Sequence, residues 1–238
     1  MDADQIFLSS NTDVVSTTVA VRNGSGIAAA YELGQSWIQK WAITFCDGKC
    51  DVLENGYDGS YGMPYVLTAG DARRHADLWS EVTEEMRQHH DREEWMTEMY
   101  SGIIAARRLG IQMNVIRMML SDLDDYQSEP WETVGWHDSP AGPGVWVAHY
   151  CQRYKIGKFK WYKYDNKDTD IRLCNRSATN FPSPDEADVV EMQRAREGTL
   201  DYKNGTREAV MNARNVWMLD HTLEPVKQAI DAYFDEFC

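Results

Sequence analysis

Two helical segments bounded by short apolar strands occupy the middle of this chain. The first helix is predicted over residues 71–87 and the second over 93–109, where Gly110 acts as the C-cap. Apolar residues recur at helical intervals along the first helix: Ala72, Trp79, Val82 and Met86. Strands are predicted at 64–68, just before the two helices, and at 115–120, just after them. Strands and helices that alternate in this way predict an α/β fold, with helices packed on a sheet.

The remaining segments extend this alternation and then change character. The pattern predicts strands at 4–8, 17–21, 145–149 and 158–164, a helix at 31–45, and loops at 55–62 and 121–144. Thr68 or Asp71 is expected to cap the start of the first central helix. A linker is predicted at 175–184 and helices with charged faces at 186–235. The sequence therefore predicts one domain over 1–174 and a linker with a helical tail over 175–238.

The charge balance excludes several classes of partner. The 238 residues include 24 Lys and Arg against 38 Asp and Glu, a net charge of −14. Nucleic acids and anionic membranes need a basic face, so neither is an expected partner. No run of about 18 apolar residues occurs, so no transmembrane segment is expected. Met1 runs directly into Asp2-Ala3-Asp4, so no signal peptide is expected in this chain. The segment 185–188 spells the helicase box Asp-Glu-Ala-Asp, but a GxxxxGK[ST] loop is missing.

Cysteines and glycosylation motifs bear on the cellular compartment. The five cysteines are Cys46, Cys50, Cys151, Cys174 and Cys238, and their spacing does not match a zinc site. In an oxidising compartment the spacing allows the disulfides Cys46–Cys50 and Cys151–Cys174. Three Asn-X-Ser/Thr acceptor motifs begin at Asn23, Asn175 and Asn204. Because chance alone gives about one such motif in a chain of this size, they favour the secretory pathway only mildly.

The first candidate for chemistry is Asp2-Ala3-Asp4, at the start of a predicted strand. Two carboxylates separated by one residue can both reach one hard cation, directly or through water. Such a cation can bridge the two phosphates of a nucleotide-sugar and stabilise the departing diphosphate. The spacing alone is weak evidence, because Asp122/Asp124 and Asp168/Asp170 repeat it and most such pairs are solvated turns.

The second candidate is His149, at the end of the predicted 145–149 strand. An imidazole at that position can complete an oxygen-rich site for manganese, and the ordinary alternative is a hydrogen-bonded histidine at a sheet edge. A local basic cluster follows in this acidic chain: Lys155, Gly157, Lys158, Lys160 and Trp161. A glycine lets the backbone approach a phosphate, and a lysine offsets the phosphate charge. The alternative for this cluster is a solvated basic hairpin.

The third candidate is the segment from Trp95 to Tyr100 in the second central helix. Trp95 and Glu98 are three residues apart and therefore share one helix face. An aromatic ring can cover the apolar face of a sugar, while a carboxylate accepts from its hydroxyl groups. A core tryptophan beside a surface glutamate is the alternative, and without further information it is favoured.

Taken together and in this order, these segments resemble a known family. They are similar to the peptidyl-serine alpha-galactosyltransferases, and to the related hydroxyproline O-arabinosyltransferases, of plants and green algae. The resemblance covers about residues 1–165 and rests on Met1 to Asp4 with Ile6, on 64–67 with Trp79, on 95–100, and on 147–150 followed by 155–157. The tail after about residue 175 resembles no family in this way.

The resemblance implies a GT-A-like, Rossmann-like α/β domain that transfers a sugar with anomeric retention. The donor would be a UDP-sugar, with galactose or arabinose favoured, and the acceptor a Ser or Hyp hydroxyl of a cell-wall type glycoprotein in the ER or Golgi lumen. Asp2, Asp4 and His149 would hold Mn²⁺ or Mg²⁺. Lys155 and Gly157 would lie beside the diphosphate. The other residues expected to bind substrate are Trp95, Tyr100, Lys158, Lys160 and Trp161. Glu98 would be the catalytic residue near the donor sugar.

One departure from the family keeps a second hypothesis open. In the family, the DxD motif follows a first half-domain that holds the nucleotide base and ribose. Here the chain begins at that motif, so the resemblance implies an N-terminally incomplete GT-A-like domain. The alternative to a glycosyltransferase is therefore a non-catalytic truncated remnant, or a glycan- or protein-binding module.

Overall fold

A computed structural model of the chain divides into two units. The described residues are 5–7, 21–30, 44–47, 61–89, 97–120, 131, 134, 147–149, 153–162, 174–175 and 181–238. The first unit comprises residues 11–117, and the second comprises residues 2–10 and 118–238. The predicted domain boundary at residue 174 falls inside the second unit.

The first unit contains a three-stranded sheet. Its strands are β2 (Ser25–Ala30), β3 (Tyr61–Val66) and β4 (Gln112–Ile116), in the order β3-β2-β4. The central strand β2 runs antiparallel to β3 and parallel to β4. A turn at residues 22–25 leads into β2, a strand that the sequence pattern does not predict. The predicted strand at 17–21 lies almost wholly outside the described residues.

Two helices accompany this sheet, as predicted. Helix α1 (Ala69–His89) begins where the Thr68 hydroxyl accepts a hydrogen bond from the Asp71 N–H, at 3.2 Å. Asp71 is 1% exposed and accepts from the Gly24 N–H at 2.9 Å, from the Thr68 hydroxyl and from Arg74. The Gly24 N–H first, and then Arg74, hold the pKa of the Asp71 carboxyl below its usual value. This carboxylate therefore ties the 22–25 turn to the start of α1.

Helix α2 (Thr97–Arg108) ends as the sequence predicts. Gly110 has a φ of +69°, its N–H donates to the Arg107 carbonyl, and the Ile111 N–H donates to the Ala106 carbonyl. These two bonds form a Schellman motif, which satisfies carbonyl groups at the helix end. Strand β4 follows this helix. The single strand predicted at 115–120 is therefore divided: its first two residues belong to β4, and residues 119–120 form a separate strand. The core of this unit includes Ala28, Phe45, Val82, Met86, Tyr100, Ile103 and Ile104.

The second unit contains a sheet that joins distant parts of the chain. Its strands are β1 (Gln5–Phe7), β5 (Met119–Leu120) and β6 (Val147–His149), in the order β1-β6-β5. Strand β6 is antiparallel to β1 and parallel to β5. Strands predicted at 4–8 and 145–149 are thus confirmed within these bounds.

A two-stranded hairpin and three helical segments complete the second unit. The hairpin pairs β7 (Tyr154–Ile156) with β8 (Phe159–Trp161). Helix α3 (Glu186–Arg196) and helix α4 (Arg207–Met218) follow, and the predicted helical content of 186–235 is confirmed. The shared core includes Leu120, Trp131, Ala148, Tyr154, Trp161, Met192, Leu200, Val216 and Trp217. Among the described helices, none is long and apolar enough to cross a membrane.

Helix α4 continues without a break through a π-helical segment (Leu219–Leu223) into helix α5 (Glu224–Phe237). Pro225 explains the π-helical segment, since proline has no N–H and its ring clashes with the carbonyl four residues earlier, that of His221. Widening the turn before Pro225 relieves this clash. Arg196 fixes the segment from outside through two hydrogen bonds of 2.8 and 2.6 Å to the Asp220 carboxylate.

The disulfide pattern differs from the predicted one. Cys174 is bonded to Cys238, with 5.4 Å between their Cα atoms, so the predicted Cys151–Cys174 disulfide is wrong. The two cysteines are 64 residues apart, and spacing along the chain cannot reveal a pairing that helix packing creates. Cys46 is also disulfide-bonded, and its partner lies outside the described residues.

Candidate functional site

His149 lies at the end of β6, beside the first residue of β1. The register pairs His149 with Gln5, Ala148 with Ile6 and Val147 with Phe7. The His149 side chain is 4% exposed, so it belongs to the interior of the second unit. This imidazole is therefore carried by the strand end that pairs with Gln5, the residue that follows Asp4 in the sequence.

Asp2, Asp4 and Trp95 lie outside the described residues. Within the described part of the chain, no group of three or more His, Cys, Asp and Glu side chains is arranged to hold a metal ion. The metal-ligand assignment of Asp2, Asp4 and His149 therefore stays a prediction.

The predicted basic cluster forms the β7–β8 hairpin. Buried and exposed residues alternate along both strands, with Tyr154, Ile156, Phe159 and Trp161 inside. Lys155 and Lys160 are exposed and stand directly opposite each other in the register. Two like charges at such a cross-strand position repel and weaken the hairpin. The pair therefore creates a local positive site at an energetic cost, within a chain whose net charge is −14.

The turn of this hairpin is anchored by a carboxylate from α3. Gly157 has a φ of +55°, and the Lys158 N–H that follows donates to Asp188 Oδ1 at 2.8 Å. A Cβ atom on Gly157 would stand 2.5 Å from the same oxygen. Burial alone would raise the pKa of Asp188, but the N–H groups of Lys158, Phe159 and Asp185 outweigh it and hold that pKa below its usual value. The backbone N–H groups of Lys158 and Phe159 thus already donate to a carboxylate of the chain itself.

Sequence reasoning missed this role of Asp188, and the local signal at 185–188 indicates only how α3 begins. Asp185 caps α3, and its side chain accepts from the Asp188 N–H at 2.8 Å while Asp188 accepts from the Asp185 N–H at 3.4 Å. This is a capping box, and the acidic letters at 185–188 that resemble a helicase box are explained by it. The reach of Asp188 across to the hairpin depends on tertiary packing and has no local signal.

A pocket of about 500 Å³ opens where the hairpin meets the start of α3. Its walls are Lys158, Phe159, Lys160, Pro182, Ser183, Asp185 and Asp188. The lining includes two lysines and two carboxylates. The pocket can therefore hold a polar ligand that offers both an anionic group and hydroxyl donors, such as a sugar phosphate.

Trp161 and Tyr100 are both predicted substrate-binding residues that lie in cores. Trp161 is 2% exposed and stacks on Tyr154, with ring centroids 5.9 Å apart. Tyr100 is also 2% exposed, in the core of the first unit. Both side chains are packed in cores, and their substrate roles stay predictions.

Glu98, the predicted catalytic residue, lies in the first turn of α2 in the first unit. Its side chain is exposed, and its backbone carbonyl accepts from Trp79 Nε1 at 2.6 Å and from the Ser101 hydroxyl at 2.9 Å. The backbone contacts fix the position of the residue and leave its carboxylate facing solvent. His149 and the basic hairpin lie in the second unit.

Comparison of the chain with protein-family models, with curated proteins and with solved structures found no match.

Proposed function

We propose that this chain supplies the metal-binding and acceptor-side elements of a retaining, metal-dependent glycosyltransferase. The donor is a UDP-sugar, with galactose or arabinose favoured, and the acceptor is a Ser or Hyp hydroxyl of a protein in the secretory pathway. The proposal rests on the resemblance to the peptidyl-serine galactosyltransferases and hydroxyproline arabinosyltransferases, together with one structural observation.

The observation that carries the proposal is the pairing of β1 with β6. Gln5 and His149 are Cα partners, and such partners are about 4.5–5.5 Å apart in an antiparallel ladder. In the sequence, Gln5 directly follows Asp4, the second carboxylate of the predicted DxD motif. The pairing of Gln5 with His149, 144 positions apart in the sequence, supports the proposal because the predicted motif directly precedes Gln5.

These residues fit a divalent cation by the chemistry of their donor atoms. Two carboxylates with one imidazole form a mixed oxygen and nitrogen set that suits Mn²⁺, and oxygen ligands alone also suit Mg²⁺. A bound cation would offset the negative charge of the UDP diphosphate. Lys155 and Lys160 add positive charge on the exposed face of the hairpin.

One observation favours a second candidate function, a binding module without catalysis. Asp188 already accepts the hairpin N–H of Lys158 that a phosphate would otherwise use. A module of this kind would use the pocket beside α3 to bind a sugar or peptide, without any metal.

Metal binding separates the two candidates. We expect Mn²⁺ and UDP together to raise the melting temperature of the full chain by several degrees, since a ligand that binds only the folded state stabilises it. Asp4→Asn and His149→Gln should each abolish most of that rise. Asp168→Asn is the matched control, because Asp168 and Asp170 repeat the DxD spacing, and it should keep the full rise.

Two results would count against the glycosyltransferase. An equal rise in all three variants would disprove the metal assignment. The absence of any rise in the unmodified chain, with circular dichroism showing folded protein, would favour the binding module.

A further inference from the structure

Two of the Asn-X-Ser/Thr motifs lie at exposed turns, one in each unit. We propose that Asn23 and Asn204 are N-glycosylated. This inference goes beyond the proposed transfer reaction, since it concerns the chain as an acceptor of glycans and uses neither the metal site nor the basic hairpin.

Asn23 is the exposed corner of the tight turn that precedes β2. Arg22 and Ser25 exchange two backbone hydrogen bonds of 3.2 and 2.8 Å around the turn, and Gly24 has a φ of +78°. A positive φ at the third position of a four-residue turn is typical of type II. The Oδ1 atom of Asn23 accepts from the Thr68 hydroxyl at 3.3 Å. That contact leaves Nδ2, the nitrogen that receives the sugar, open to solvent.

Asn204 is exposed in the turn between α3 and α4. Its backbone N–H donates to the Asp201 carbonyl at 3.1 Å, and its Nδ2 donates to Asp201 Oδ2 at 2.7 Å. A primary amide has two N–H groups and keeps one after glycosylation, so this bond is compatible with an attached glycan. The third residue of the motif, Thr206, is also exposed and caps α4. No change of fold is therefore needed to carry a glycan here.

The disulfides are the independent observation that places these motifs in the right chemical environment. Cys174–Cys238 joins two exposed cysteines, and Cys46 is disulfide-bonded as well. Exposed disulfides persist in oxidising compartments and are rare in a reducing cytosol. The oxidising lumen of the secretory pathway also supplies the co-reactant for N-glycosylation, an oligosaccharide linked to a lipid diphosphate.

The modification balances as a simple group transfer. Asn Nδ2 loses one proton and forms a bond to the anomeric carbon of the first sugar. The bond between that carbon and the lipid diphosphate breaks, and the lipid diphosphate leaves.

Asn175 begins a third motif, but it is not part of the proposal. It directly follows the disulfide-bonded Cys174, and Ser177 lies outside the described residues.

The test uses the full, epitope-tagged protein purified from its own cells. A peptide N-glycosidase that also accepts core-fucosylated glycans releases N-glycans in ¹⁸O water and converts each occupied Asn to labelled Asp. We expect most copies of the peptides that contain residues 23 and 204 to carry the label. Recovery of either peptide with only unlabelled Asn would overturn the assignment of that site.

Matched variants show that the label depends on the motif and not on the fold. Asn204→Gln and Thr206→Ala should each remove the glycan at 204, whereas Thr206→Ser keeps the hydroxyl, the cap and the motif and should retain it. Asn23→Gln should remove only the glycan at 23. A glycan that persists at 204 in Thr206→Ala would overturn the proposal there.

Discussion

His75 of α1 is enclosed between two aromatic rings of its own unit. It is 3% exposed, its ring centroid lies 5.2 Å from that of Tyr65 and 5.5 Å from that of Trp79, and its Nε2 lies 2.8 Å from the Gly102 carbonyl oxygen. Burial lowers the pKa of His75, and the Gly102 carbonyl only partly offsets this. The neutral ring is therefore the form that the folded first unit accepts.

This burial predicts a pH dependence of stability. The unfolded chain takes up a proton at His75 near pH 6.5, while the folded chain resists it to lower pH. The neutral His75 ring thus contributes its full share to the free energy of unfolding above about pH 6.5. This share is lost as the pH falls below that value, at up to about 1.4 kcal/mol per pH unit. Urea unfolding between about pH 7 and 5 should show this loss.

His75→Gln is the variant that isolates the effect, because Gln can still donate to the Gly102 carbonyl but does not titrate. We expect a flatter pH profile than in the unmodified chain. The pKa of His221 is also lowered, first by burial, so His221→Gln is compared in parallel and should remove only its own share. An unchanged slope in His75→Gln would refute the assignment.

At the scale of single elements, the β7–β8 turn requires glycine for two reasons. The φ of +55° at Gly157 costs other residues about 1–2 kcal/mol, and an added Cβ would stand 2.5 Å from Asp188 Oδ1. We therefore expect Gly157→Ala to lower the free energy of unfolding by about 2 kcal/mol or more. Chemical denaturation followed by the fluorescence of the buried tryptophans measures this.

Two other glycines provide controls for that prediction. Gly70 has nothing within 4 Å of an added Cβ and lies in α1, so Gly70→Ala should be neutral or stabilise by up to about 1 kcal/mol. Gly24 has open space but a φ of +78°, so Gly24→Ala isolates the backbone cost. If Gly157→Ala and Gly24→Ala lower the free energy of unfolding by the same amount, the contact of the added Cβ with Asp188 does not contribute to the loss at Gly157.

Elements with local signals could be predicted from the sequence, and those made by distant neighbours could not. Helix α1 and the glycine C-cap of α2 depend on periodicity and on residues within one turn. Strand β2 was missed because Gly26 and three alanines have low strand propensity, and its extended form comes from pairing with β3 and β4. For the candidate site, His149 and the basic hairpin could be singled out from the sequence. The pairing of His149 with β1, and the hydrogen bond from the hairpin to Asp188, could not be predicted because they join residues that are distant in sequence.

On the scale of the whole molecule, the Cys174–Cys238 disulfide closes a large loop around α3, α4 and α5. Closing a loop between cysteines 64 residues apart stabilises a fold by about 4 kcal/mol in the chain-entropy model. We expect Cys238→Ser to lower the free energy of unfolding by that order, as measured by denaturant unfolding of the second unit's signal. Cys174→Ser and the double variant should lower the free energy of unfolding by the same amount, because each of them removes the same single disulfide. Additive losses would contradict this account.

The pairing of β1 with β6 also has a consequence for the order of folding. In the sequence, residues 8–146 separate the two paired strands, and this stretch includes residues 11–117 of the first unit. Closing so long a loop carries a large entropic cost before any contact rewards it. Residues 11–117 of the first unit are continuous in sequence, whereas the second unit combines residues 2–10 with 118–238. We therefore expect the pairing of β1 with the strand end that carries His149 to form late in folding.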